Sequence, residues 1–291
     1  MTSALAIVTP SYGPDFELCR TLNRSVLEFF PAPVKHYLFV DRRDLKRFAS
    51  LAGKRTIVAP KEEILPKGII QIPGFNRWFS TSTLVPVSGW LVQQIAKIAV
   101  AQRLSEATLV MVDSDAVFVR DVEPAMFAAG HTSRLYRRTG GITADMTDHL
   151  TWHRNACKLL DVPPATAPVN DYIGQIISWN RDLVMQMCAR IEMVTGRSWH
   201  AAMAMNRAIS EYLLYGIFIE KVLGPQAPVW IDERSRCKTH WHLRPLLESQ
   251  LTAFSLSLDE GDFALMISSH SGTSSETRRA AIELATNGRL T

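Results

Sequence analysis

The sequence has neither a paired-cysteine motif nor an apolar run long enough to cross a bilayer. Its 291 residues include four cysteines, none spaced as Cys-x-x-Cys, so a zinc knuckle is not expected. No apolar stretch approaches the ~18 residues that a membrane-spanning helix needs. The first residues lack a basic n-region, so a signal peptide is not expected. These absences predict a cytoplasmic protein in a reducing compartment, with buried free thiols at Cys19 and Cys188.

Long blocks of like charge are also missing. The formal net charge is +4, and like charges form only short clusters such as Arg42–Arg43. This balance argues against a nucleic-acid partner. It would suit an anionic small substrate, or peripheral contact with the inner face of an acidic membrane. The length and the 47% hydrophobic content fit one large α/β domain, and no feature indicates an oligomeric state.

Short apolar segments alternate with helical patterns through the first half of the chain. This order is typical of a mostly parallel sheet flanked by helices. The second half is less regular, and residues 60–88, which include Phe75, are expected to form a functional loop. Strands are predicted at 4–8, 36–40, 55–58, 108–112, 173–179 and 263–268. Helices are predicted at 15–30, 43–51, 89–104, 180–193, 210–222 and 273–285.

Two carboxylates, Asp113 and Asp115, directly follow the apolar run at 108–112. Side chains two positions apart on an extended strand point the same way. Adjacent carboxylates repel unless a cation or proton lies between them, and Mg²⁺ typically takes one or two carboxylates plus substrate phosphates. In open α/β sheets, the carboxyl ends of strands border the ligand crevice. The motif therefore predicts a divalent-cation site for a phosphorylated ligand; the alternative is a polar turn that merely ends a strand.

Four features in chain order resemble the GT-A glycosyltransferases, the nucleotide-sugar-dependent class marked by an Asp-x-Asp. They are a strand ending in Thr9–Tyr12, a strand ending in Asp41, a helix bearing Gln and Lys, and Asp113-Ser114-Asp115. The likeness is good over residues 4–125, loose beyond, and strongest to bacterial proteins that are only provisionally assigned as glycosyltransferases. It implies a Rossmann-like GT-A fold in one domain, 1–291. Residues 1–125 would form the nucleotide-binding half and 126–291 the acceptor-binding half.

The resemblance also implies roles for single residues. The turn at 9–12 would contact the nucleotide base and ribose, Asp41 would hold the base or ribose, and Asp113 would contact the ribose or sugar. Asp115 would ligate Mn²⁺ or Mg²⁺ together with Asp113. His270 is the candidate for a late third ligand, although its spacing to Gly272 departs from the familiar His-x-x-Gly. Residues expected to contact the donor are Thr9, Pro10, Ser11, Tyr12, Asp41, Gln93, Gln94, Lys97, Asp113 and Ser114.

The predicted helix at 89–104 carries a polar face upstream of the two aspartates. Lys97 would neutralise the donor phosphates as a flexible point charge, and Gln93 and Gln94 would bind donor hydroxyls. A solvated polar helix face is the alternative interpretation. Trp90 is expected to be a core or rim aromatic residue rather than a stacking platform.

An inverting transfer needs a carboxylate that acts as general base on the acceptor hydroxyl. Glu211, at the start of a predicted helix, is the first candidate, although it would also complement the helix dipole there. Asp171 is the second candidate, with a plain turn residue as its alternative.

The resemblance therefore implies a metal-dependent glycosyltransferase. It would move a sugar from a nucleotide-diphosphate sugar to a glycan, lipid-linked or small-molecule hydroxyl acceptor. Two alternatives stay open. A haloacid-dehalogenase-type phosphatase would use Asp113 as nucleophile and Asp115 as acid/base, but that motif normally lies on the first strand of its domain. The second alternative is a protein that has the same fold and binds a nucleotide or a carbohydrate but has no catalytic activity.

Overall fold

The computed structural model describes residues 5–72, 77–206 and 208–290. Ala4 of the first predicted strand and Phe75 of the predicted loop lie outside these ranges. The strands are β1 Leu5–Pro10, β2 Lys35–Val40, β3 Thr56–Pro60, β4 Ile69–Gln71, β5 Trp78–Ser80, β6 Val85–Val87, β7 Thr108–Val112, β8 Ala116–Phe118, β9 Ala128–Ala129, β10 Thr132–Tyr136, β11 Arg138–Ile142, β12 Val169–Asp171, β13 Ile176–Asn180, β14 Val229–Asp232, β15 Cys237–His240 and β16 Ala264–Ile267. The α-helices are α1 Phe16–Phe29, α2 Leu45–Phe48, α3 Lys61–Ile64, α4 Gly89–Val100, α5 Thr147–Leu160, α6 Arg181–Thr195, α7 Trp199–Met205, α8 Glu211–Ile217, α9 Glu248–Leu256 and α10 Ser275–Thr286.

Five strands form the central sheet in the order β13-β7-β1-β2-β3. The pairs β7–β1, β1–β2 and β2–β3 are parallel, and β13 joins β7 in the antiparallel sense. The expected mostly parallel α/β sheet is thus confirmed. From β1 the chain builds β2 and β3 on one side and then crosses to β7 on the other side. The ends of β1 and β7 therefore flank a topological switch point, where open α/β sheets bind ligands.

Both faces of this sheet are covered, which explains why its strands are apolar without strict alternation. In β1, Ala6 and Val8 join a core cluster with residues of α4, α5, α6 and α8. The intervening Leu5 and Ile7 join a second cluster with Leu22 and Val26 of α1. The helices on the two faces hold the carboxyl ends of β1 and β7 at a common open edge.

A small C-terminal sheet reaches that same edge. Its order is β15-β16-β8, with β16 antiparallel to β8, the strand that follows Asp115. The end of β16 leads into a 3₁₀ turn, Ser269–Ser271. Because β8 leaves the Asp-x-Asp and β16 returns to it, residues near 270 come next to residues near 115.

Some element predictions need correction. Residues 60–88 are not an irregular loop throughout, since α3 and a three-stranded antiparallel sheet of β4, β5 and β6 lie there. These strands have three residues each, too short to show periodicity. The helix predicted at 210–222 is α8 followed by a π-helical segment, Phe218–Leu223. The predicted Asn180 cap is confirmed, because its side chain accepts bonds from the Asp182 and Leu183 amides.

The expectation of buried thiols is also confirmed. Cys19, Cys157, Cys188 and Cys237 are all free and buried. In the three described ranges, no helix combines the length and apolar character that crossing a bilayer requires.

Candidate active site

Asp113 and Asp115 lie directly beyond β7, where the chain turns into β8. The turn is closed by the Ala116 amide, which donates to the Asp113 carbonyl over 3.1 Å. The Asp113 side chain is 44% exposed. The Asp115 carboxylate is mostly buried and accepts a bond from the Ser269 amide at 3.0 Å. Burial, aided by repulsion from Asp113, raises the pKa of Asp115 to about 6.

The turn after β1 meets the turn after β7 through two serines. Ser114 Oγ donates to Ser11 Oγ over 2.8 Å, and both residues are buried. The bond joins the two strand ends that flank the switch point. Thr9 lies one step inward, and its hydroxyl pairs with His36 Nε2 at 2.9 Å inside the core. Of the predicted turn, Ser11 therefore lies beside Ser114, Tyr12 is partly buried at the next position, and the Thr9 hydroxyl is occupied within the sheet.

Lys97 of α4 links the Asp-x-Asp to α8. Its ammonium nitrogen lies 3.1 Å from Asp113 Oδ1 and 3.3 Å from Glu211 Oε1. The same nitrogen donates to the Tyr212 hydroxyl over 2.8 Å. Burial alone would lower the pKa of Lys97, but Asp113, Tyr212 and Glu211 together raise it well above the usual value. Lys97 is therefore a permanent cation at the base of the site.

Glu211, the first candidate for a general base, is buried beside Lys97. Burial raises the pKa of its carboxyl, and Lys97 opposes that rise. Gln94 fixes the start of α8, because its Oε1 accepts the Glu211 amide at 3.0 Å. Gln94 is 3% exposed, and its Nε2 has no hydrogen-bond partner within the described chain. The neighbouring Gln93 is half-buried.

Asp15 and Arg278 extend the cluster, and neither is among the site residues expected from the sequence. Burial raises the pKa of Asp15, while His270 and Arg278 oppose that rise. Arg278 donates to the Ile267 and Ser268 carbonyls over 2.5 and 2.6 Å, which holds the end of β16 in place. His270 is exposed on the following turn. A charged residue opening α1 and an Arg in the last helix offered no local signal of function.

Asp41 and Asp171 have separate surroundings. Asp41 Oδ1 lies 2.6 Å from Lys61 Nζ, and its Oδ2 lies 3.1 Å from Arg43. Both carboxylate oxygens of Asp41, at the end of β2, are thus held in ion pairs. Asp171 is buried at the end of β12, where its Oδ1 accepts the Ile173 amide at 3.0 Å. Burial raises the pKa of Asp171, and the bond from the Ile173 amide opposes this rise, together with His149 and Arg138.

The charges around Asp115 suit a divalent cation. Carboxylates outnumber permanent cations there, and repulsion from Asp113 adds to burial in raising the pKa of Asp115. Across 5–72, 77–206 and 208–290, no three His, Cys, Asp or Glu side chains are arranged to hold a metal ion. Mg²⁺ is usually bound by one or two protein carboxylates together with substrate phosphates. A pair of carboxylates is therefore enough for the protein's part of such a site. The carboxylates are those of Asp15, Asp113, Asp115 and Glu211, and the cations are Lys97 and Arg278.

A solved structure of mouse xyloside xylosyltransferase 1, in its apo form, is similar to this chain. The likeness covers 92% of this chain and 98% of that chain, with a TM-score of 0.50 and 11% sequence identity. At such low identity the likeness shows the fold alone. The expected GT-A-like fold is therefore confirmed as the fold of a glycosyltransferase. No curated protein matches the chain.

A family model described as a family of unknown function (DUF6492) matches residues 4–241. This range covers well over half of the chain. It includes Asp113, Asp115 and Glu211, whereas His270 and Arg278 lie beyond it. The chain therefore belongs to this family of unknown function (DUF6492).

Proposed function

We propose that this protein is a metal-dependent glycosyltransferase. It transfers a sugar from a nucleotide-diphosphate sugar to a hydroxyl of a glycan, lipid-linked or small-molecule acceptor. The observation that carries the proposal is the contact of Lys97 with both Asp113 and Glu211 at the switch point of the sheet. The glycosyltransferase fold supports it, since the same edge of the sheet would receive the donor.

In this proposal the donor nucleotide lies over the ends of β1 and β2, against Ser11 and Tyr12. Asp41 would contact the base or ribose from the end of β2. Asp113 and Asp115 would hold Mn²⁺ or Mg²⁺, with His270 as the candidate third ligand. A divalent cation at these carboxylates supplies Lewis-acid stabilisation of the leaving diphosphate.

In the transfer step, Glu211 would accept a proton and Lys97 would balance charge. In an inverting transfer, the acceptor oxygen forms a bond to the anomeric carbon as the bond from that carbon to the diphosphate oxygen breaks. The bonding electrons leave with the diphosphate, and the acceptor proton passes to Glu211. Burial raises the pKa of the Glu211 carboxyl, which makes its carboxylate a stronger base than an exposed glutamate. Lys97 balances the negative charge that develops beside it. Asp171 is the second candidate for the base.

Donor binding by purified protein tests the proposal. Isothermal titration with UDP and GDP, each with and without Mn²⁺, is expected to give saturable binding that requires the metal for at least one nucleotide. Asp115→Ala is expected to abolish the metal-dependent part and to retain the fold. Asp182→Ala is the matched control, because Asp182 is exposed and follows β13 at the opposite end of the sheet. Equal binding by both variants would refute the assignment of Asp115.

A further inference from the structure

A surface aromatic cluster stands near the candidate active site. The rings of Trp90 and Trp152 have centroids 5.4 Å apart, and His149 lies 4.6 Å from Trp152. Trp90 opens α4 and is 45% exposed, and the two α5 residues are partly exposed. Trp90 is therefore not a core residue. Exposed tryptophan held against other rings is typical of a binding surface.

Helix α4 connects this cluster to the charged centre. Trp90, Gln94 and Lys97 are spaced i, i+4 and i+7, so they follow one face of the helix. At 1.5 Å per residue, Trp90 lies about 10 Å along the helix axis from Lys97. Lys97 contacts Asp113, and Gln94 holds the amide of Glu211. The helix face therefore runs from the metal end of the site, past the candidate base, to the rings.

Polar groups accompany the rings. His149 interacts electrostatically with the carboxylate of Asp171, which is buried at the end of β12. The Ile173 amide donates to one oxygen of this carboxylate, and the Tyr172 amide also hydrogen-bonds the carboxylate. Gln94 adds a buried Nε2 that lacks a hydrogen-bond partner within the described chain. Buried amide donors are normally satisfied, so a ligand hydroxyl is a fitting partner for this one.

We propose that Trp90, Trp152 and His149 bind the ring of an acceptor saccharide, whose hydroxyls reach Asp171 and the Gln94 amide. The inference rests on the proposed transferase function and narrows its acceptor to a carbohydrate. A sugar ring has an apolar C–H face that packs on aromatic rings and an equatorial rim of hydroxyls that needs polar partners. The aromatic rings and the polar groups lie about two helical turns from Lys97. An acceptor sugar bound there reaches the reaction centre when the donor sugar lies on the other side of that centre.

Binding of simple glycosides tests this inference without the donor. Methyl glycosides of glucose, galactose, mannose and xylose are titrated and followed by ligand-observed NMR. At least one is expected to bind saturably. Trp90→Ala is expected to weaken that binding about tenfold, and Trp90→Phe to weaken it less because a ring remains. Leu27→Ala is the control, since Leu27 is 39% exposed near the end of α1, on the opposite face of the sheet from α4.

The outcomes separate this inference from the proposed function. Metal-dependent nucleotide binding is measured on the same Trp90→Ala protein and is expected to be unchanged, which also shows that the variant is folded. Saturable glycoside binding that falls in Trp90→Ala and not in Leu27→Ala supports the saccharide site. No saturable binding of any glycoside, or an equal effect of the two substitutions, overturns it. Absence of nucleotide binding by wild-type protein would instead overturn the proposed transferase.

Discussion

Two charged networks in this protein contain similar residues and differ in how well their charges are matched. Around Asp232, Arg134 and Arg236 each donate a guanidinium N–H over 2.9 and 3.0 Å, and the Arg234 amide donates at 3.0 Å. Although burial opposes ionisation, these bonds lower the pKa of Asp232. Around Lys97 the carboxyl pKa values shift in the opposite direction, since burial raises the pKa of both Asp115 and Glu211.

The difference separates a structural network from a candidate functional one. Asp232 ties β14 to β10 through Arg134, and every charge there has a partner in the folded chain. The carboxylates near Lys97 leave charge unbalanced, which costs stability unless a ligand supplies the missing positive charge. Perturbed carboxyl groups gathered in a cleft are typical of active sites, whereas ion pairs that only stabilise a fold lower carboxyl pKa values. This contrast can be tested by removing one partner from each network.

Replacement of Lys97 is expected to have the largest effect. Lys97→Met leaves Asp113 and buried Glu211 without their cation, and breaking a buried pair costs about 3–5 kcal/mol. Urea denaturation at pH 7 measures the loss. Lys158→Met, an exposed helical lysine, is the control and should change stability by less than about 0.5 kcal/mol. Adding Glu211→Gln to Lys97→Met should recover part of the loss, and no recovery would contradict the coupling between these residues.

Neutralising one carboxylate in each network should shift stability in opposite directions. The pKa of Asp115 is about 6 in the folded protein, above its ordinary 3.8, so stability of the metal-free protein falls as pH rises through this interval. Asp115→Asn removes this penalty and should stabilise the metal-free protein by up to about 3 kcal/mol at pH 7, and by about 1 kcal/mol at pH 4.5.

Asp232→Asn provides the matched comparison. It should destabilise the protein by about 1–3 kcal/mol at pH 7, because Arg134 is buried and loses its counter-charge. Thermal and urea denaturation in the presence of a chelator give both values. Two shifts of the same sign would show that the networks do not differ as described.

Local sequence patterns were sufficient to predict the parallel sheet and the candidate residues next to its strand ends. Asp113 and Asp115 follow an apolar run, and Lys97 lies on a helix whose stripe is visible in the sequence. That Lys97 contacts both Asp113 and Glu211 could not be predicted, because the contact depends on how α8 packs against α4. A row of apolar residues along a helix shows which face is buried. It does not show which distant residue packs against that face.

The residues that were missed depend on long-range pairing. Asp15 resembled an ordinary helix start, although its side chain makes no capping bond and instead interacts with Arg278. Arg278 approaches Asp115 because β16 pairs with β8, a pairing that no local periodicity specifies. Asp171 has its own surroundings for the same reason, since the β11–β12 pairing sets its position.

Metal affinity should depend on pH in a way that the Asp232 network cannot produce. Asp115 must be deprotonated to bind a cation, and its pKa is about 6. Mn²⁺ binding, followed by electron paramagnetic resonance of free Mn²⁺, should therefore be constant above pH 7 and about tenfold weaker at pH 5. Asp232→Asn should keep this profile, because its carboxylate is paired within the fold, whereas Asp115→Asn should lose the tight binding altogether. A flat profile in wild-type protein would mean that the unbalanced charge beside Lys97 does not serve to hold a metal.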